Sequence, residues 1–470
     1  MSSDATQYDT VIIGAGMSGL AAGIRLAYYD QRVCILERHT TIGGLNSFYR
    51  LNGRNYDVGL HAVTNFTPKG AKKGPLARLL RQLRMSWDEW SLLPQIGSRI
   101  AFPGVTLDFN NDFEYFRSQV HQRFPAQKDN FERLLGQIAD YDELDFANAE
   151  RSAREVVSSF ITDPLLVEML FCPLMYYGSA RQDDMDFAQF CIMFRSIFLE
   201  GLGRPAAGVR LILKTLVRRF RALGGELRLR TGVKRLTVEE GAVRQLVLED
   251  DTQIAARNVL SSAGWCETMR LCDDAPAVES SVPGRLSFCE SMAVLDCQPR
   301  ELGHEHTIVF FNDSPAFHWQ TADDLLDLRS GVICSPNNFV YDAPLDEGLI
   351  RVTMLASYDG WRMLSDEEYQ LAKLRWYDRM LASAVRFTAD FRGHVIATDM
   401  FTPKTIQRFT GHDYGAVYGA VRKRYDGTTH LRNLFICGTD QGFVGIIGSI
   451  VSGISMANQH LLKGYGGDSR

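Results

Sequence analysis

Six residues near the start, Gly14-Ala15-Gly16-Met17-Ser18-Gly19, have the spacing of a turn that holds a pyrophosphate. The first glycine permits a tight turn, the second lets backbone approach the phosphates, and the third lets the next helix pack close on a sheet. A helix starting there offers free N–H groups and the positive end of its dipole to an anion. Glu37 stands roughly twenty residues on, where a carboxylate can accept hydrogen bonds from a ribose. The glycine spacing alone is a weak signal, since a chance glycine turn would match it. With the acid in place it reads as dinucleotide binding.

Three further segments bear on which dinucleotide. The Gly43-Gly44 pair is not needed by a plain NAD-binding unit and points to a loop pressed against a larger cofactor. Tyr56-Asp57-Val58-Gly59 is a second place where backbone can approach a ligand. Gly438-Thr439-Asp440 puts small residues and an acid at the end of a late strand, and ligands of doubly wound sheets sit beyond such ends. His61 is the one catalytic candidate; it acts either as an acid or base or only as a hydrogen-bonding partner of backbone. The stretch 412–419 (HDYGAVYG) either lines a cavity or forms a plain turn. Cys437 is expected to behave as a small buried hydrophobe rather than as an attachment point.

These residues need elements to position them. Residues 8–13 read as a buried strand, the glycine turn opens a helix, and 31–38 read as a second strand. Strand, helix, strand implies a parallel sheet. Residues 163–180 and 186–202 read as helices with broad apolar faces. Residues 209–223 form an amphipathic helix ended by Gly224-Gly225, followed by short strands up to about 264 and a long helix near 366–388. The expected fold class is α/β: a Rossmann-like nucleotide-binding domain with a discontinuous α+β substrate domain. Residues 1–105, 203–270 and 402–470 are assigned to the first, 106–202 and 271–401 to the second.

Composition closes off several classes. The 470 residues are 45% hydrophobic and 23% charged, an ordinary globular balance. A formal net charge of -5 carries no basic footprint, so no nucleic-acid partner is expected. Nine scattered cysteines without a C-x-x-C pair fit reduced thiols in a cytoplasmic setting, and neither disulfide-reductase chemistry nor a metal site is expected. The stretch 1–10 has no apolar core of a signal peptide. The uncharged stretch 441–462 is too rich in glycine, serine and amides for a spanning helix.

Over nearly its full length the chain resembles the flavin-dependent phytoene desaturase and carotenoid isomerase family, within the wider amine oxidase group of flavoproteins. The resemblance rests on VIIGAGMSGLAAGIRLA with Glu37, the Gly43-Gly44 pair, and YDVG at 56–59. It rests further on RPAAGVRLILKTLVRRFRALGGELRLRTGVKRL at 204–236 and NLFICGTDQGFVGIIGSIVSGISMAN at 433–458. The first three specify FAD; the last two favour the desaturase and isomerase branch. The resemblance implies that Gly14, Gly16, Ser18, Gly19, Glu37, Arg38, Gly43, Gly44, Leu45, Asp57 and Gly59 bind FAD. It implies that Val233 meets the adenine through its backbone. Gly438–Gly448, with Gly445 and Ile446, would lie along the flavin, and Asp440 would face the ribityl chain. Two segments depart from the family: a late proline-glycine-glycine element reads GFVGIIG (442–448), and a PKGG-like run reads RPAAG (204–208).

The resemblance implies an FAD enzyme that introduces double bonds into a long apolar isoprenoid by hydride transfer. Cis–trans isomerisation or saturation with reduced FAD, amine oxidation, and a non-catalytic prenyl-lipid binding protein remain open. No second glycine fingerprint follows another strand, so the electron acceptor is expected to be oxygen, a quinone or another diffusible molecule. The apolar helices at 163–202 are either a packed core or a greasy tunnel with a membrane-facing mouth. Phe171, Met175, Tyr176, Tyr177, Phe187, Phe190, Met193, Phe194, Phe198 and Leu199 supply it, with Lys69, Lys72, Lys73, Arg81 and Arg84 at lipid headgroups or in a solvated surface. On the second reading the protein sits in the cytoplasm, peripherally attached to a membrane surface.

Overall fold

A computed structural model describes residues 7–142, 149–274 and 283–462. The stretch 1–6 lies outside them. The fold is α/β, with two seven-stranded sheets facing a shared cleft. In the first, β1 (Gln7–Ile13) and β2 (Val33–Leu36) pair in parallel, joined through the helix α1 (Met17–Ala27). Gln253–Ser261 pairs in parallel on the other side of β1, and Leu434–Ile436 extends the sheet beyond it. Glu226–Arg228 adds a parallel strand to β2. The VCIL sequence of β2 is apolar throughout because both faces of this parallel sheet are covered. Val233–Glu239, Ala242–Leu248 and Gln253–Ser261 form an antiparallel meander whose last strand carries on into the parallel sheet.

The helix Val209–Ala222 buries Val209, Ile212, Leu213, Leu216 and Phe220 and leaves its arginines outward. The helix Gly445–Met456 packs against α1, so close that a Cβ on Gly453 would collide with the Ser18 backbone. No helix among the described residues is long and apolar enough to cross a membrane.

The second sheet runs in the order 395–401, 287–295, 348–356, 330–334, 308–312, 98–102, 105–109. Its pairs are antiparallel except Ser98–Phe102 with Ile308–Asn312. The boundary expected at 105 therefore falls inside a hairpin of this sheet. The apolar helices pack with this sheet, Pro164–Gly178 contacting Ser98–Phe102 and Ile308–Asn312. Phe171, Phe187, Phe190, Phe194 and Phe198 are fully buried there, and Phe116 stacks on Phe198 with centroids 4.2 Å apart. The block at 163–202 is thus mainly a packed aromatic core, worth about 25 cal/mol per Å2 of buried apolar area. Of the lining residues expected from it, Tyr176 and Tyr177 reach the cleft, and Leu199 is the one that faces solvent.

Candidate active site

One cleft of about 740 Å3 runs between the sheets. At one end stands the glycine turn. Gly14 has φ +95°, which an L side chain rarely adopts, and a Cβ on Gly19 would collide with the Gly14 carbonyl oxygen. Gly19 therefore does not line the cleft; it lets α1 lie against the turn. A Cβ on Gly16 would meet nothing within 4 Å, so there is open space over the start of α1. That helix start has no side-chain cap, which leaves its first N–H groups for an anion. The Glu37 carboxylate is buried and accepts from the Ala15 amide at 2.9 Å and the His39 amide at 3.0 Å. It is fixed beside the turn, and Arg38 lines the cleft next to it. The Glu37 carbonyl accepts from the Thr231 amide at 2.8 Å, which brings Thr231, Gly232 and Val233 to this end.

The loop of Gly43, Gly44 and Leu45 lies alongside, with the Gly43 amide donating to the Ala15 carbonyl at 3.0 Å. Gly59 packs on the Leu45 carbonyl so closely that a side chain there would collide with it. From the opposite side come Gly438, Asp440, Gly445 and Ile446. Gly445 opens a second helix without a side-chain cap, so two free helix starts border the same cleft. Asp440 is 2% exposed and accepts from the amides of Trp265 and Ala420, each at 2.6 Å, with Lys423 Nζ at 3.7 Å. It ties three chain segments together at the cleft wall. Cys437 is buried beside it with its thiol pushed up to about 12 by burial, which suits a small hydrophobe and not a nucleophile.

Asp57 departs from the expected arrangement. It does not line the cleft: its carboxylate is paired with Arg204 and accepts from the Val209 amide at 3.1 Å. The carboxylate is drawn away because a buried guanidinium lies behind the loop and must be neutralised. Val58 and Gly59 carry the loop's contribution to the cleft instead.

Beyond the glycine loops the cleft widens into a chamber walled by Tyr176, Tyr177, Phe288, Val417, Tyr418 and Val444. The 412–419 stretch therefore lines it through His412, Val417 and Tyr418. His61, Glu290 and Thr353 interrupt this wall. His61 Nε2 lies 2.8 Å from Thr353 Oγ1. Burial, with Arg351 and Arg204 nearby, holds the His61 imidazole well below its ordinary pKa, so it is neutral. Glu290 is paired with Arg351, both almost fully buried. Burial pushes the Glu290 carboxyl up although Arg351 opposes the shift. Arg351 also donates to the Leu60 carbonyl, directly before His61.

Sequence reading missed Glu290, Thr353, Arg351 and Arg204. A signal existed for two: Glu290 is the lone charge in the apolar strand SFCESMAVL, and Arg351 the lone charge in GLIRVTMLA. Isolated opposite charges in two buried strands must neutralise each other or a ligand.

The family model described as flavin containing amine oxidoreductase matches residues 17–461. The chain belongs to that family. It is similar to prolycopene isomerase, chloroplastic, of Daucus carota, 22% identical over 455 residues, covering 88% of this chain and 72% of that one. It is similar to phytoene desaturase (lycopene-forming) of Pseudescherichia vulneris, 26% identical over 341 residues, covering 64% of this chain and 66% of that one. Among solved structures it shares the fold of an oxidoreductase from Methanosarcina mazei at TM-score 0.66 and 16% identity, covering 96% and 100% of the two chains.

The protein is an FAD-dependent oxidoreductase. Its residues fit the cofactor. The uncapped start of α1 and the space over Gly16 suit a pyrophosphate, and Glu37 suits a ribose. The second uncapped helix start, at Gly445, suits an electron-rich ring edge. When bound, FAD supplies a two-electron acceptor.

Proposed function

We propose that the enzyme removes hydride and a proton from a long apolar isoprenoid of carotenoid type, leaving a new double bond. Supporting this most is the chamber wall: six aromatic or aliphatic side chains, with Glu290 committed to Arg351 and the neighbouring lining carboxylate, Asp399, accepting from the Tyr49 hydroxyl. A hydrocarbon offers few polar handles, so selection falls to the chamber's shape and apolar area. The resemblance to a phytoene desaturase supports the same substrate class.

Gly14, Gly16, Ser18, Glu37, Arg38, Gly43, Gly44, Leu45, Gly59, Val233, Gly438, Asp440, Gly445 and Ile446 are assigned to FAD contact, with Gly19 and Asp57 supporting them from behind. Reoxidation falls to oxygen, a quinone or another diffusible acceptor. The protein is further proposed to attach to a membrane surface. Lys373 reaches the cleft rim, and its helix, Asp366–Ala384, bares Leu371 and Leu374 at 62% and 69% exposure.

A second reading is cis–trans isomerisation with reduced FAD, favoured by the resemblance to prolycopene isomerase. The two separate in an anaerobic single turnover with phytoene or a poly-cis carotenoid in detergent micelles. A desaturase bleaches the flavin absorbance and makes no more product than flavin present. Many turnovers with pre-reduced flavin and no added acceptor would establish the isomerase.

A further inference from the structure

Within the proposed dehydrogenation we infer that Glu290 accepts the substrate's proton, relayed from the chamber through His61 and the Thr353 hydroxyl, with Arg351 as a positioning residue.

The geometry begins in the second sheet. Glu290 and Thr353 sit directly opposite each other on antiparallel strands, and Arg351 precedes Thr353 by one pleat on the same face. That face looks into the chamber. Thr353 binds His61 at 2.8 Å and stands directly across the strand pair from Glu290, whose charged form its hydroxyl favours, so the three stand in line for proton transfer. The residue before His61 is held twice, because Arg204 and Arg351 each donate to the Leu60 carbonyl.

Burying a carboxylate and a guanidinium is costly, and in a chamber otherwise lined by hydrocarbon side chains such a cost marks a functional group. The charged and titratable groups around Glu290 are Arg351, Asp57, Tyr49 and Cys334, with Asp399 on the far side of Tyr49, Arg204 beside Asp57 and His61 beyond Thr353. Among them His61 is held neutral by burial and the two arginines. A proton arriving at His61 therefore passes on. Burial raises the affinity of Glu290 for that proton, so it comes to rest there.

The step balances. One C–H bond of the substrate breaks with its electron pair, transferred as hydride to the bound FAD. The adjacent C–H bond breaks with its pair retained as the new π bond, and its proton goes to Glu290 and later to water. Substrate loses two electrons and FAD gains two.

The test uses the FAD-loaded enzyme mixed anaerobically with phytoene in micelles at a series of pH values. The wild type is expected to bleach with a rate that falls on the acid side along one ionisation. Glu290→Gln is expected to slow bleaching roughly 100-fold or more and to erase that ionisation, with flavin content retained. Thr353→Val, which keeps the ion pair, is expected to slow it at least roughly tenfold with the ionisation kept. If Glu290→Gln loses FAD, Thr353→Val decides alone, and a wild-type rate there overturns the relay. Bleaching indifferent to both substitutions overturns the relay and leaves the proposed reaction standing. No bleaching by the wild type overturns both.

Discussion

Asp57 and Arg204 form an ion pair 2.5 Å long, with side chains 8% and 7% exposed, behind the loop that carries Gly59 and His61. The pair joins the YDVG segment at 56–59 to the RPAAG segment at 204–208. Its partner network runs through the Leu60 carbonyl to Arg351 and Glu290. The loop is therefore braced from the back by two ion pairs whose arginines meet at one carbonyl.

Asp57→Ala is expected to cost about 3–5 kcal/mol of stability, because Arg204 would stay buried without a counter-ion. Denaturant unfolding of the apoprotein checks this. A variant of normal stability with weakened FAD affinity would return Asp57 to the cofactor.

Gly16→Val is expected to abolish FAD binding while the protein purifies folded. A side chain at this position points into open cleft, where nothing of the protein lies within 4 Å. Gly19→Ala is expected to do the opposite. Its Cβ meets the Gly14 carbonyl oxygen, so stability falls by roughly 1–3 kcal/mol. Flavin absorbance after gel filtration and thermal unfolding separate the two, and full flavin loading in Gly16→Val would refute the placement.

The contrast between these two glycines shows what the sequence makes legible. The glycine turn, Glu37 and the flanking strands are local: one unbroken stretch, residues 7–37, suffices to build them, so their spacing reports their structure. Asp57 is legible as part of a segment beside the ligand but not in its partner, because Arg204 lies 147 positions away and arrives by tertiary packing. The Glu290–Thr353–His61 chain has the same character, since Thr353 is 292 positions from His61. The helices at 163–202 show a different limit. Apolar periodicity is the same for a helix facing a core and one facing a lipid tunnel, and the covering sheet decides between them.

His412 and Glu267 give a pH dependence. Their charged atoms are 3.5 Å apart beside the cleft, with Asp440, Asp413 and Arg270 around them. Burial opposes the charge on His412, but Glu267 outweighs it and raises the pKa above its ordinary 6.5. Burial likewise opposes the charge on Glu267, but His412 and the Asp413 amide bring its pKa below 4.5. The histidine's contribution is full below pH 6.5 and is lost as pH rises through its raised folded value. The glutamate's is full above 4.5 and is lost as pH falls through its lowered one. The pair thus stabilises most between these two ordinary values, and His412→Asn is expected to remove the alkaline loss. Melting temperature against pH for both proteins measures it; parallel curves would exclude the pair as the source.

Membrane attachment turns on which apolar residues are free to leave water. The dense aromatic block cannot supply it: Phe171, Phe187, Phe190, Phe194 and Phe198 are already fully buried, and an acid placed there would unfold the protein rather than detach it. Leu371 and Leu374 stand on one side of the helix Asp366–Ala384 at a spacing of three, and Met363, in the preceding helix, is 82% exposed. Lys373 and Arg375 on the same helix supply positive charge for anionic headgroups. Burying each leucine in lipid is worth about 1.5–3 kcal/mol. The double substitution Leu371→Asp, Leu374→Asp should therefore lower partition into phosphatidylglycerol vesicles by roughly a hundredfold or more. Flavin content and melting temperature should hold, because both side chains already face solvent. Co-sedimentation with vesicles reads the outcome. Equal pelleting of wild type and variant would move the contact elsewhere on the surface, and a wild type that stays in solution at every lipid concentration would remove the membrane from the proposal.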